Sequence, residues 1–144
     1  GVGLESGASR AYPAVEMPPE RRLTRQRVAI RKVITDADGP LSPNEVHERA
    51  SAEVEHLGLA TVYRALNAMV EAGDIKAVEL PGQTPRYESA DLGHHHHFHC
   101  ERCGRVFDFD GCPGDLVSLA PEGFVVSSHD IVLYGMCASC AAQA

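Results

Sequence analysis

The chain of 144 residues carries two Cys-x-x-Cys motifs, Cys100–Cys103 and Cys137–Cys140, with 33 residues between the inner cysteines. Four thiolates around one Zn²⁺, each at about 2.3 Å, form a closed tetrahedral site typical of structural zinc. The separation exceeds that of a short zinc ribbon and leaves room for strands and a short helix. The motifs therefore predict a small domain stapled by one zinc ion; four unrelated reduced thiols are the alternative.

The fifth cysteine and the lack of long apolar runs indicate the cellular compartment of the protein. Cys112 makes the cysteine number odd, which fits reduced thiols better than a disulfide framework. No apolar run approaches the roughly 20 residues that cross a bilayer, and no export signal opens the sequence. We therefore expect a cytoplasmic protein without a membrane partner, preceded by a flexible arm of residues 1–20.

Charge is divided unevenly along the chain. The formal net charge is -7 at pH 7, yet the segment 21–32 carries six bases and no acid. From Glu88 onward there are eight acids and two bases. The distribution of charge matters more than its sum, and a basic stretch is typical of contact with a nucleic-acid backbone.

The segment 24–54 predicts two helices. Thr24 is the predicted N-cap of the first helix, and Gly39 ends it. Ser42, Pro43 and Glu45 form a capping-box pattern at the start of the second helix. The first helix is predicted to bury one face at i, i+3, i+4, i+7 spacing: Ile30, Val33, Ile34 and Ala37.

A third helix is predicted from about Ala60 to Ala72, with Gly73 in the C′ position. Its buried face comprises Val62, Ala65, Leu66, Met69 and Val70. The other face offers small, hydroxyl, guanidinium and amide groups, which suit entry into a DNA major groove: Ala60, Tyr63, Arg64 and Asn67. An ordinary solvated face is the alternative. The stretches "IKAVEL" and "TPRYES" then predict a hairpin, so the first half resembles a winged helix-turn-helix.

The stretch "GHHHHFHCERCG" from Gly93 is internal, so it is not a terminal affinity tag. In an extended chain, alternate side chains point to opposite sides. His95, His97 and His99 would then lie on one side, and His94 and His96 on the other. The run therefore predicts metal ligands for two sites; solvated histidines without an ion are the alternative.

The motifs "ATVYRAL" and "HHHHFHCERCG", about 27 residues apart, resemble the ferric uptake regulator family of metal-responsive repressors. The resemblance extends from about Leu23 to Cys140. It implies that the first half binds double-stranded operator DNA and that the second half pairs with its copy in a homodimer. The implied DNA contacts are Arg25, Arg27, Thr61, Tyr63, Arg64 and Asn67.

The resemblance also implies three metal sites. Structural zinc would be held by the two Cys-x-x-Cys motifs. The regulatory ion would be held by the carboxylate before the histidine run, two of its histidines and one later oxygen donor, as in the peroxide-sensing branch: Glu88, His95, His97 and Asp108. A second, inter-strand site would comprise His94, His96, His129 and Asp115.

The sequence departs from the family pattern in two places. Pro40 stands where many members carry a histidine ligand, and no cysteine lies shortly before the histidine run, unlike zinc-sensing members. The regulatory set then has only nitrogen and oxygen donors, which suit Fe²⁺ or Mn²⁺ and also Zn²⁺. Cys112 belongs to neither motif, and three interpretations stay open: a soft metal ligand, an oxidisable thiol or a structural thiol in a turn.

Together these patterns predict an α+β protein with an N-terminal winged helix-turn-helix and a small α/β dimerisation domain with a four-cysteine zinc site. The predicted divisions are an arm (1–20), a DNA-binding domain (21–88), a hinge (89–93) and a metal-binding dimerisation domain (94–144). We expect a metal-dependent repressor of metal-homeostasis or oxidative-stress genes, not an enzyme, with no organic substrate. The alternatives are a zinc-containing hydrolase and a metal store or chaperone without DNA binding.

Overall fold

The computed structural model describes residues 18–143, and the first 17 residues of the predicted arm lie outside the described residues. Three helices open the described chain: α1 (Pro19–Asp36), α2 (Pro43–Ala50) and α3 (Leu59–Glu71). The first helix begins five residues before Thr24, so the prediction that Thr24 is its N-cap was wrong. The Thr24 hydroxyl instead donates a hydrogen bond to the carbonyl of Glu20, one turn earlier.

The second and third helix boundaries follow their sequence signals closely. The Ser42 hydroxyl accepts from the Glu45 amide at 3.2 Å, and the Glu45 carboxylate accepts from the Ser42 amide at 2.9 Å. This reciprocal capping box satisfies two amide groups that the first turn of α2 leaves unpaired. Gly73 follows α3 with a φ of 82°, a conformation that costs glycine little.

The three helices bury a common apolar core. Ile30, Val46, Val62 and Leu66 each have no exposed surface, and neighbouring apolar side chains surround them. Burial of such a side chain stabilises a fold by about 1.5–3 kcal/mol. Val70, predicted to face this core, is exposed instead.

Two sheets follow the helices. The wing is the antiparallel pair β1 (Ile75–Val78) and β2 (Arg86–Ser89). A three-stranded sheet has the order β4-β3-β5 and comprises β3 (His96–Cys100), β4 (Val106–Phe109) and β5 (Val132–Gly135). Strand β3 is antiparallel to β4 and parallel to β5. The predicted α+β architecture is confirmed.

The segment between β4 and β5 has less regular structure than the sequence predicts. It contains one short 3₁₀ helix (Val117–Leu119) where the sequence predicts a short helix. Of the stretch "FVVSSHDIVLYGMC" (124–137), whose composition predicts a strand, only Val132–Gly135 lies in a sheet. A last helix, α4 (Ala138–Ala142), completes the described chain. Within residues 18–143 no helix is long and apolar enough to cross a membrane.

Close backbone packing joins the helical half to the second sheet. A Cβ atom on Gly39 would lie 1.9 Å from the carbonyl oxygen of Val106, so only glycine fits this turn. The Asp108 amide donates to the Asp38 carbonyl at 2.8 Å. These contacts bring β4, and with it the Asp108 side chain, against the turn between α1 and α2.

Arg86 makes a second connection between the halves. Its buried guanidinium donates to the Glu45 carboxylate at 2.6 Å and to the Gly104 carbonyl at 2.8 Å. It also donates to the Pro40 carbonyl and to the Gln83 side chain. One side chain of the wing thus contacts helix α2 and the turn that carries the first Cys-x-x-Cys motif.

Candidate metal centres and nucleic-acid interface

The four cysteines of the two Cys-x-x-Cys motifs converge on one point and form the four-cysteine cluster. Cys100 ends β3, Cys103 lies in the following turn, and Cys137 and Cys140 lie at the start of α4. All four sulfur atoms lie within 4.8 Å of one another, and those of Cys103 and Cys137 are 3.9 Å apart. Sulfur atoms about 2.3 Å from a central Zn²⁺ in a tetrahedron are separated by about 3.8 Å. The cluster therefore has the dimensions of a closed zinc site.

The backbone around this cluster favours thiolate. The amides of Cys103 and Cys137 both donate to the Cys100 sulfur, at 3.4 and 3.3 Å, and lower the pKa of that thiol to about 5. Burial and the neighbouring thiols raise the pKa of Cys140 to about 12. Cys100 therefore favours the thiolate without metal, whereas the pKa of Cys103, like that of Cys140, is raised, and a bound dication would favour their deprotonation.

A second cluster joins the wing to the second sheet. Glu88 in β2 is only 3% exposed, and its carboxylate lies 3.1 Å from His95 Nε2 and 3.3 Å from His97 Nε2. Asp108 in β4 lies 3.4 Å from His97 Nε2 and 3.8 Å from His95 Nε2. These four predicted regulatory ligands are brought together by the alternation of β3 and by the pairing of His97 with Asp108 across β3 and β4.

The protonation of His95 is set by its surroundings. Its Nδ1 donates to the Gly93 carbonyl at 2.6 Å, because a carbonyl oxygen can only accept. In the neutral ring Nε2 then carries the lone pair, and that atom faces Glu88. A backbone hydrogen bond of this kind is how metal-binding histidines are commonly oriented.

Charges in this cluster are unbalanced. Burial would raise the pKa of Glu88, but hydrogen bonds from His97 and His95 and their charges together lower it. Burial opposes protonation of His95, whereas its bond to Gly93 and the Glu88 carboxylate raise its pKa. Burial and then the charge of Glu88 raise the pKa of Asp108. The carboxylates of Glu88 and Asp108 therefore face the same two histidines, and the charge of Glu88 disfavours ionisation of Asp108.

One buried atom shows that this donor set suits a cation. Asp108 Oδ1 is a buried side-chain atom without a hydrogen-bond partner among residues 18–143. Such an orphan acceptor is costly unless an ion or water satisfies it. Lys76 already places an ammonium 3.5 Å from Glu88, on the wing side of the cluster. The residues present therefore fit a divalent ion with oxygen and nitrogen ligands.

The third cluster differs in composition from its prediction. His94, His96 and His129 meet, but the fourth member is Cys112. The structure does not bring Asp115 there, because its carboxylate accepts from the Val117 amide at 3.1 Å, at the start of the 3₁₀ helix. Burial, and then the charges of His94 and His129, lower the pKa of His96. The sequence offered a soft metal ligand as one interpretation of Cys112 but could not place it in this cluster, since the loop between β4 and the 3₁₀ helix has no periodicity.

The predicted DNA contacts lie on α1 and α3. Tyr63, Arg64 and Asn67 are exposed along one side of α3, and the Arg64 guanidinium donates to the half-buried Thr61 hydroxyl at 3.1 Å. Gly58 precedes this helix without a side-chain cap, which leaves its first amides available to an acceptor. Arg25 and Arg27 are exposed on α1. Arg31, from the same basic segment, is instead paired with Asp74 at 2.6 Å.

A winged helix-turn-helix joined to a sheet with three donor clusters defines a class of metal-binding regulator. The model of the Ferric uptake regulator family matches residues 20–134. The Ferric uptake regulation protein of Campylobacter jejuni is 32% identical over 124 residues, which are 83% of this chain and 79% of that protein. This chain therefore belongs to the ferric uptake regulator family, as its motifs predicted.

Solved structures support the same assignment. The ferric uptake regulator of Francisella tularensis with iron is 28% identical, with a TM-score of 0.62 over 90% of this chain and 96% of that one. A zinc-bound manganese uptake regulator is 25% identical, with a TM-score of 0.67 over 82% and 97% of the two chains.

Family membership determines the general activity of the chain. It is a metal-dependent transcription regulator and not an enzyme, so the hydrolase alternative is wrong. Its cofactors are structural zinc and a regulatory divalent ion. The four-cysteine cluster and the cluster of Glu88, His95, His97 and Asp108 have donor atoms close enough together to hold such ions.

Proposed function

We propose that this chain is a homodimeric repressor whose affinity for operator DNA rises when a divalent ion binds between its halves. The observation that carries the proposal is the second cluster, in which Glu88 of the wing meets His95, His97 and Asp108 of the following sheet. The residues between Glu88 and the histidine run that starts at His94 form the proposed hinge, 89–93. Ligands on both sides of a hinge allow one ion to restrict its angle.

The proposed division of labour follows the distribution of residues. Residues 21–88 bind DNA, with Tyr63, Arg64 and Asn67 at base edges and phosphates, and Arg25 and Arg27 at the backbone. Thr61 supports Arg64 through the hydrogen bond between them. Unpaired amides at the start of α3 are suited to a phosphate oxygen. This assignment accounts for the basic segment in a chain whose net charge is negative.

Residues 94–144 form the proposed dimerisation domain. Strand β5 lies at an edge of the three-stranded sheet, and Leu133 and Tyr134 are each 47% exposed there. Exposed apolar side chains on a sheet are typical of surfaces that a partner covers. A symmetric pair would present two α3 helices, which need a separation of about 34 Å to reach successive major grooves.

The regulatory cluster would hold its ion through two imidazole nitrogens and two carboxylates. Fe²⁺, Mn²⁺ and Zn²⁺ all accept these ligands. When bound, the ion supplies positive charge between Glu88 and Asp108 and gives Asp108 Oδ1 a partner. Coupling energies of about 1–3 kcal/mol between two sites change affinity roughly 5- to 150-fold, which is enough for repression to follow the ion.

The test is operator binding by protein that retains structural zinc. A duplex is first selected from a random pool with Mn²⁺-loaded wild-type protein, and its affinity is then measured with Mn²⁺ and with chelator. We expect Mn²⁺ to tighten binding by about 5- to 150-fold. Glu88→Gln should lose most of this gain, because a neutral amide is a poor cation ligand. Glu79→Gln, an exposed wing residue, is the matched control and should keep it.

Two results would contradict the proposal. Equal operator affinity with Mn²⁺ and with chelator would show that the ion does not control DNA binding. Failure to enrich any duplex would favour the alternative of a metal store that does not bind DNA.

A further inference from the structure

Cys112 has three imidazoles around its sulfur. The Cys112 sulfur lies 3.2 Å from His94 Nε2, 3.3 Å from His129 Nε2 and 2.9 Å from His96 Nε2. His94 Nε2 and His129 Nε2 are also 3.2 Å apart. His96 lies in β3 and His94 two residues before it. Cys112 lies in the loop after β4, and His129 in the segment before β5. Such convergence of distant segments is unlike a thiol in an ordinary turn.

The hydrogen bonds of His96 distinguish it from the other two histidines. The Ile131 amide donates to His96 Nδ1 at 3.1 Å, so Nδ1 must carry a lone pair. The neutral ring then has its proton on Nε2, the atom that faces the Cys112 sulfur. A protonated ring nitrogen cannot also bind a metal. In this arrangement His96, which is 1% exposed, is a hydrogen-bond donor to sulfur.

The family resemblance implies an inter-strand metal site here with His96 and Asp115 among its ligands. We propose a different ligand set: Cys112, His94 and His129 form a three-ligand zinc site with an open fourth position, and His96 orients the thiolate by donating a hydrogen bond. The three distances among these ligand atoms are 3.2–3.3 Å. Ligands at about 2.0–2.3 Å in a tetrahedron around Zn²⁺ are separated by about 3.3–3.6 Å. The triangle therefore needs little movement to accept the ion.

The thiolate gives this site a different preference from the regulatory cluster. Thiolate with imidazole selects zinc over Mn²⁺ and Fe²⁺, whereas carboxylate with imidazole accepts all three. His94 and Cys112 are exposed, so the ion can exchange with solvent. The chain would then carry a zinc-selective, exchangeable site beside β3. The same strand supplies His97 to the regulatory cluster.

The test is cobalt titration of protein that retains structural zinc. Co²⁺ bound to a thiolate gives a near-ultraviolet sulfur-to-metal charge-transfer band, and the regulatory cluster has no sulfur. We expect wild-type protein to show the band and Cys112→Ser to lose it, with zinc affinity at this site reduced about tenfold or more. Asp115→Asn, which removes the nearby carboxylate, is the control and should keep the band. A band that persists in Cys112→Ser would overturn the proposal.

A second measurement needs no variant. Zn²⁺ should protect Cys112 of the wild-type protein from alkylation by iodoacetamide, as read from the mass of its peptide, and Mn²⁺ should not. Equal protection by both ions, or by neither, would overturn zinc selectivity. Both readouts report metal at the thiol directly, so they stand or fail independently of operator binding.

The position of His96 is tested by two substitutions. His96→Gln retains an N–H donor and should keep the charge-transfer band, whereas His96→Leu should lower cobalt affinity by about 10- to 100-fold. If both His96→Gln and His96→Leu lose the cobalt site, His96 is a metal ligand and not a hydrogen-bond donor to the thiolate.

Discussion

The two halves of this chain are stabilised by different means. Apolar side chains from Ala29 to Ile75 form one buried cluster in the helical half. Beyond residue 93, Cys100 and Val106 are the buried apolar residues of the described chain. Half of a small protein rarely folds without an apolar core unless metal, disulfides or association replaces it. The helical half therefore has an apolar core of its own, whereas the second half has few buried apolar side chains and carries most of the clustered metal-donor residues.

The junction between the halves combines both kinds of stabilisation. Gly39 and Asp38 contact β4 through backbone atoms, and Arg86 reaches the carbonyl of Gly104 beside Cys103. The regulatory cluster includes the side chain of the β4 residue whose amide donates to Asp38, Asp108. β4 and Arg86 therefore supply contacts between the second half and the helical half with its wing.

The largest expected effect comes from loss of the four-cysteine cluster. Cys103→Ser removes one thiolate, and structural zinc contributes about 10–16 kcal/mol of apparent binding energy to small zinc domains. We expect hydrogen exchange to become fast in β3, β4 and β5 while the amides of α2 and α3 stay protected. Cys112→Ser is the matched control and should retain structural zinc. Simultaneous loss of protection in both halves would show that the helical half has no independent stability.

The converse change concerns the apolar core. Leu66→Ala removes a side chain with no exposed surface and should lower the free energy of unfolding by about 2–5 kcal/mol in chemical denaturation. The zinc content should not change, because Leu66 belongs to the apolar cluster of the helical half. Leu119→Ala, at a residue 78% exposed, should have an effect within about 0.5 kcal/mol. Release of zinc from Leu66→Ala at low denaturant would contradict the separation of the two halves.

Much of the helical half could be predicted from local sequence signals. The capping box at Ser42 and Glu45 and the glycine at position 73 act within a few residues, so their sequence patterns are sufficient. The start of α1 was missed because Pro19 begins the helix without a capping side chain. The stretch "FVVSSHDIVLYGMC" (124–137) has strand composition throughout, but only Val132–Gly135 forms a strand, because only these residues find a partner in β3.

The composition of the donor clusters could be predicted in part, because side chains along an extended strand alternate between its two sides. Alternation along β3 separates His95 and His97 from His94 and His96 without knowledge of the fold. Contacts from irregular loops follow no such rule, so neither the cluster that Cys112 joins nor the hydrogen bond from Ile131 to His96 could be foreseen. The interdomain contacts of Arg86 and Gly39 depend on tertiary packing and likewise leave no local pattern.

The smallest expected effect is the pH dependence of metal binding at the regulatory cluster. It arises from protonation of the ligand His95 and not from its removal. His95 must be neutral to bind a metal, and its bond to Gly93 together with Glu88 raises its pKa above the usual 6.5. Protonated His95 stabilises the metal-free protein below that usual value, and the stabilisation is lost as pH rises through the raised pKa. Metal binding has the opposite dependence: Mn²⁺ affinity should fall as pH falls, beginning above 6.5, by up to about tenfold per pH unit for each displaced proton.

Calorimetric titration with Mn²⁺ between about pH 6 and 8 measures this slope. The raised pKa of Asp108 adds a second proton that must leave at lower pH, whereas Glu88, whose pKa is lowered, stays ionised and adds none. His56→Gln, an exposed histidine outside all three clusters, should leave the profile unchanged. A Mn²⁺ affinity independent of pH over this range would mean that His95 does not bind the ion, and the regulatory cluster would then lose the ligand that adjoins the hinge.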